Sequence, residues 1–236
     1  MSYSRLIFPV EVPSSQTLTA GMAGIGMHFH AVANREANVE DTIFYASLDG
    51  MERGDLRTLS VLVRWLTGYS RWIIADRLIR LVSSSESLRL RAFWSAVALW
   101  KKSDWRFARL AKLYQGPRID LLDSGTQFLL QRHGESEIFK DSPLRIPASV
   151  LRDREMDVAP IEETQKHHLS LHYRVVMGPC FRADMWAVLD RYPEVSASEL
   201  ARRTYGSFAT AWQVKKDWQV IHGSQKKRRP AQKRIA

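Results

Sequence analysis

At 236 residues, with 45% hydrophobic and 25% charged side chains, the chain has the makeup of one large or two small globular domains. No run approaches the ~18–20 apolar residues of a membrane span, MSYSRLIFPVEVPSSQ lacks the pattern of a signal peptide, and the lone Cys180 excludes an intrachain disulfide and suits a reducing cytoplasm. The net charge of +10 and pI near 9.9 call for an acidic partner, nucleic acid or an anionic membrane surface.

Residues 1–33 read as an irregular N-terminal arm with a glycine-rich run, AGMAGIGMHFH. GMAGIG has the glycines of a phosphate loop but not the Lys-Ser/Thr that would hold a nucleotide. His28 and His30 have no third ligand candidate nearby, so they make no metal site.

Residues 34–116 read as a helical array. Asn38 caps a first helix carrying Ile43, Phe44 and Leu48. Gly54-Asp55 opens a second with Leu56, Leu59, Leu62, Val63 and Leu66 at helical spacing, ended by Gly68. A third runs from Arg71 to Val82, a fourth from Leu88 to Lys101 and a fifth from Trp105 to Tyr114. Trp65, Trp72, Trp94, Trp100 and Trp105 suit a core or helix junctions. Beside Arg89, Arg91, Lys101, Lys102, Arg106 and Arg109 they also suit nucleotide stacking, which keeps an RNA-binding reading open.

Residues 117–170 form an irregular, locally acidic connector. His133 and Glu135 have no nucleophile or ligand set around them. His168 and His172 share a helix face at zinc-pair spacing, but HHLSLH lacks the glutamate of a zinc protease. Gly-x-Ser-x-Gly, His-Glu-x-x-His, paired Cys-x-x-Cys and a Walker loop are all missing. The expectation is no enzyme, no catalytic residues, no cofactor and no metal.

Residues 171–222 carry the clearest pattern. Gly178-Pro179 precedes a helix from Phe181 to Arg191, which Tyr192-Pro193 stops. Ser196-Ala-Ser-Glu199 is a capping box. Tyr205-Gly206 supplies a tight turn, with glycine taking the positive φ, and Ser207 caps the next helix. On that helix Ala211, Val214, Trp218 and Ile221 share an inner side, while Thr210, Gln213 and Asp217, with Lys216 beside them, lie on a polar front, where Asp217 either falls outside the groove or holds Lys216 or Arg202. A packed back and a polar front are what a DNA-reading helix needs, and Gln, Lys and Thr suit adenine, guanine or phosphate, and a thymine methyl. The residues from Ser196 onward hold ten of the 35 Lys/Arg and two of the 25 Asp/Glu. The surplus charge therefore lies in and after this stretch. Ile221 to Gln225 reads as a turn, and residues 223–236 as a basic tail or stunted wing that meets phosphate.

The stretch from Arg174 to Ile221 resembles a winged-helix module of bacterial regulators. An Arg, then Gly, then Arg-Ala before a helix (RVVMGPCFRADMWAVL) is followed by Ser-x-Glu-Leu-Ala, a turn and a polar helix. Similar modules serve as DNA-binding domains of antitoxins in AbiE-like toxin–antitoxin systems, whose toxins are nucleotidyltransferases. The resemblance implies a cytoplasmic, nucleoid-associated, dimeric transcriptional regulator that binds double-stranded DNA sequence-specifically. An antitoxin with a toxin or co-regulator as protein partner, autoregulating its operon, is the alternative it carries.

The expected fold is mainly α, a helical bundle or array followed by a winged-helix-like helix-turn-helix domain. Its expected DNA contacts are Arg202, Arg203, Ser207, Thr210, Gln213, Lys215, Lys216, Lys226, Lys227, Arg228 and Arg229.

Overall fold

Ser14 accepts a hydrogen bond from the Thr17 amide and opens a helix, α1, over Ser15–Gly24. The computed structural model that shows this describes residues 8–9 and 11–226, with side chains through His222. The N-terminal arm is thus not wholly irregular. Leu18, Met22, Ile25 and Met27 are buried in the main core. The glycines make this possible by close approach: a Cβ on Gly24 would stand 1.8 Å from the Asn34 carbonyl oxygen. Trp65 donates to the Ile25 carbonyl at 2.8 Å, so the run is a packing seam, not a loose arm.

The array follows the sequence closely at its start. Asn38 caps α2, Val39–Glu52, and Asp55 caps α3, Leu56–Tyr69, each accepting from the amide three residues on. Gly68 does not end α3, which continues to Tyr69 and a 3₁₀ turn, Ser70–Trp72. The third helix, α4, therefore starts at Ala75 rather than Arg71 and ends at Ser84, and α5 spans Leu88–Trp100 under a Ser87 cap. No fifth helix forms at Trp105. Two 3₁₀ turns, Trp105–Phe107 and Leu110–Lys112, stand there instead. Asp104 accepts from the Arg106 amide, and Arg106 donates to the carbonyls of Ser70, Arg71 and Ile73, so side chain–backbone bonds tie this segment to the end of α3.

The connector holds a two-residue parallel ladder, β1 (Ile119–Asp120) with β2 (Leu144–Arg145), joined through a short helix, α6, Thr126–His133. The helices α7 (Ile161–Thr164), α8 (Leu169–Met177), α9 (Phe181–Arg191), α10 (Ala197–Arg203) and α11 (Phe208–Lys226) complete a mainly helical chain. Two cores result. The large one runs from α1 to Leu171 of α8. The small one joins Met185 and Leu189 of α9, Leu200 and Ala201 of α10, and Ala211 and Val214 of α11. The expected turn at Ile221–Gln225 is absent, because α11 continues to Lys226. A Trp218–His222 ring stack, 4.3 Å between centroids and one helical turn apart, supports the extension. No strand follows β2 among the described residues. No described helix is long and apolar enough to cross a membrane.

Candidate nucleic-acid interface

The last three helices are held to the array by a buried ion cluster. Arg174 of α8 spends all five of its N–H donors. It donates to both oxygens of Glu40 (2.7 and 2.9 Å), both of Asp184 (2.8 and 2.7 Å) and the Trp72 carbonyl (3.0 Å). Burial works against the Arg174 charge, but Asp184 and Glu40 outweigh it and push its pKa above the ordinary arginine value. Glu40 also accepts from the Ile74 amide at 2.8 Å, so the cluster binds α2, α4, α8 and α9 together.

A second polar contact fixes the turn between α10 and α11. Tyr205 donates to Asp41 at 2.6 Å, and Arg77 pairs with the same carboxylate while lying 3.5 Å from the Tyr205 ring centroid. Burial raises Asp41 to about 6, against the pull of Arg77 and Tyr205. His168 is buried and neutral. It caps α8 by accepting at Nδ1 from the Leu171 amide and donates from Nε2 to the Ala37 carbonyl. Burial lowers its pKa to about 4. His172 meets Gln165 instead, so the two histidines form no pair. Among the described residues no three His, Cys, Asp or Glu side chains gather as a metal site.

The turn differs from expectation in which residue carries the strain. Tyr205 takes the left-handed conformation, with φ at 55°. Gly206 does not have positive φ. A Cβ there would come 2.2 Å from Met185 Cε of α9, the flexible end of a buried side chain that would have to shift. Ser207 caps α11 as expected, accepting from the Thr210 amide at 3.0 Å. Ser196 likewise caps α10, accepting from the Glu199 amide. The Glu199 carboxylate turns instead to Arg202 and Arg203, whose hydrogen bonds hold it down at about 2.

The structure brings most of the expected contacts onto one unit, but several are already engaged. Arg202 and Arg203 are exposed and share Glu199, and Arg203 also covers the Tyr192 ring. The Ser207 and Thr210 hydroxyls bond each other at 2.6 Å. Gln213 donates to Asp217 at 2.8 Å, and Asp217 is held by Arg182 of α9, not by Lys216 or Arg202. Lys215 donates to the Val195 carbonyl and so staples α11 to the loop before α10. Lys216 lies 3.5 Å from the Trp212 ring centroid. Lys226 ends α11, and its side chain, with Lys227, Arg228 and Arg229, lies outside the described residues. On the inner side Ala211 and Val214 are fully buried and Trp218 half-buried, while Ile221 is exposed.

Two residues that no sequence pattern singles out, Phe208 and Trp212, also lie on this surface. Both are exposed on the front of α11, at 59% and 47%, one helical turn apart. The Glu40–Arg174–Asp184 cluster lies outside the sequence patterns too, although an arginine in the apolar run Leu171 to Met177 is a signal for it. The tryptophan-rich N-terminal surface comes apart. Trp65 and Trp94 are fully buried, Arg89 and Arg106 bond carbonyls, and Trp105 is exposed.

Beside the α10–α11 turn lies a cleft of about 690 Å³, walled by Val12, Thr17, Asn38, Asp41, Arg203 and Tyr205 among others. Comparison with protein-family models, curated proteins and solved structures found no match to this chain.

Proposed function

We propose that the chain is a sequence-specific DNA-binding regulator. In this reading α10, the turn at Tyr205-Gly206 and α11 form a helix-turn-helix, with α11 in the major groove and the basic residues from Lys226 onward against phosphate. The supporting observation is the two-sidedness of α11. Its back, Ala211 and Val214, is packed on α9 and α10, and its front, Phe208, Ala209, Trp212, Gln213 and Lys216, is exposed. A helix that enters a groove must be held from one side and bare on the other. The resemblance to AbiE-like antitoxin modules supports the same assignment, and a dimer would present two such helices about one DNA turn apart.

A second reading, an antitoxin that also binds a protein, is favoured by the end of α8. Val175, Val176 and Met177 are exposed there, at 41%, 65% and 39%, beside no charged residue of their own helix turn after Arg174. The test of the main reading is selection from a random duplex pool by the full chain. An enriched motif is expected, with binding that falls steeply as salt rises. Equal affinity for the selected and unselected pools at physiological salt refutes it.

A further inference from the structure

The front of α11 is not the polar surface that base reading by Gln213 requires. Gln213 is bonded to Asp217, which Arg182 anchors in turn. The Thr210 hydroxyl is bonded to Ser207. The exposed groups that remain free along the first two turns are apolar: Phe208, Ala209 and Trp212. The cation Lys216 lies over the Trp212 ring.

We propose that α11 reads thymine, through contact of Phe208, Ala209 and Trp212 with the C5-methyl groups in the major groove. The inference rests on the DNA-binding reading above. Thymine is the base that presents an apolar group in that groove, and alanine and aromatic side chains are its partners there. Charge decides for DNA over a protein partner on this face. Protein interfaces are depleted in lysine at their centres. Here Lys216 follows Trp212 by one turn and lies over its ring, the adjacent acid Asp217 is paired with Arg182, and the chain continues into Lys226, Lys227, Arg228 and Arg229.

The test uses the full chain and a change in the DNA alone. Duplexes enriched by selection are remade with uracil for thymine, which removes the C5-methyl and leaves the pairing edge intact. Affinity is expected to fall about four-fold per contacted thymine, the ~0.8 kcal/mol of one buried methyl group converted at 1.4 kcal/mol per decade. Trp212→Ala and Phe208→Ala should each narrow the gap between the thymine and uracil duplexes, and the double variant should lose most of it, with an unchanged salt slope and unchanged melting temperature. If wild type binds both duplexes equally while the enriched motif stands, the thymine reading is overturned and the DNA-binding reading survives. If no motif is enriched, both are overturned.

Discussion

Replacing Arg174 by methionine should destabilise the protein more than any surface change, and should do so in a pH-dependent way. The guanidinium is fully buried and makes five hydrogen bonds of 2.7 to 3.0 Å. Methionine fills much of the volume but supplies no donor. Glu40 and Asp184, with side chains 0% and 5% exposed, would be left as two neighbouring buried anions, with only the Ile74 amide still bonded to Glu40. Removing one partner of a buried ion cluster costs about 3–5 kcal/mol, a large part of the ~5–15 kcal/mol that holds a domain folded. With an m value of about 2 kcal/mol per molar urea, the midpoint at pH 7 should fall by roughly 1.5–2.5 M. The sign with pH follows from the stranded charges. Protonation relieves them in the folded variant alone, so the deficit should be smaller at pH 5 than at pH 7. Tryptophan fluorescence and far-UV circular dichroism in urea would follow both. Arg174→Met combined with Glu40→Gln and Asp184→Asn should recover at least half of the loss. A midpoint shift below about 0.5 M at pH 7, or equal deficits at the two pH values, would sink the reasoning.

Gly24→Ala should be severely destabilising, because the new Cβ meets the Asn34 carbonyl at 1.8 Å, whereas Gly68→Ala, in an exposed helical position with nothing within 4 Å, should stabilise by about 0.5–1 kcal/mol. Paired thermal melts show whether the two glycines differ in sign. Ser207→Ala should cost about 1 kcal/mol by removing the cap that holds the Thr210 amide, and unchanged stability would count against that cap. The folded pKa of His168 is depressed to about 4 from 6.5, so its neutral form contributes stability that is lost as pH falls from 6.5 to 4. Asp41, raised to about 6, works the other way over the same window but is common to wild type and a His168→Asn variant. The stability difference between the two should therefore shrink by about 3 kcal/mol from pH 6.5 to pH 4, and a constant difference would contradict a buried neutral His168. For DNA, Gln213→Ala should cost less than about 1 kcal/mol at selected sites, because its amide is held by Asp217, and a loss of about 1–3 kcal/mol in anisotropy titrations would make it a base reader instead. Removing residues 226–236 should weaken binding to every duplex and flatten the salt slope, which anisotropy at several salt concentrations would reveal.

Local physics made much of this chain legible from its sequence. Asn38, Asp55, Ser196 and Ser207 announce helix starts because a side-chain oxygen satisfies an orphan amide a few residues away, whatever the rest of the fold does. The helix from Phe181 to Arg191 and the buried pair Ala211 and Val214 were legible for the same reason: apolar spacing of three and four residues defines a face. The contacts that span the chain were not. The α1 helix has no strong stripe, and its end packs into the main core because Gly24 lets the backbone lie against Asn34. Two 3₁₀ turns stand where the sequence predicts a fifth helix, and there Arg106 reaches carbonyls more than thirty residues back. The strain at the turn falls on Tyr205 rather than Gly206, with Asp41 and Arg77 holding the tyrosine ring from more than a hundred residues away in the chain. Sequence thus determined where the helices capped by Asn38, Asp55, Ser196 and Ser207 begin and that Ala211 and Val214 form the packed face of α11. Tertiary structure alone decided which front residues are free: Gln213 is tied through Asp217 to Arg182, 35 positions before Asp217, and Phe208 and Trp212 are left bare. Spacing rules act over one helical turn, whereas the partner of a charged or polar group is set by whichever distant segment the fold brings within hydrogen-bond reach.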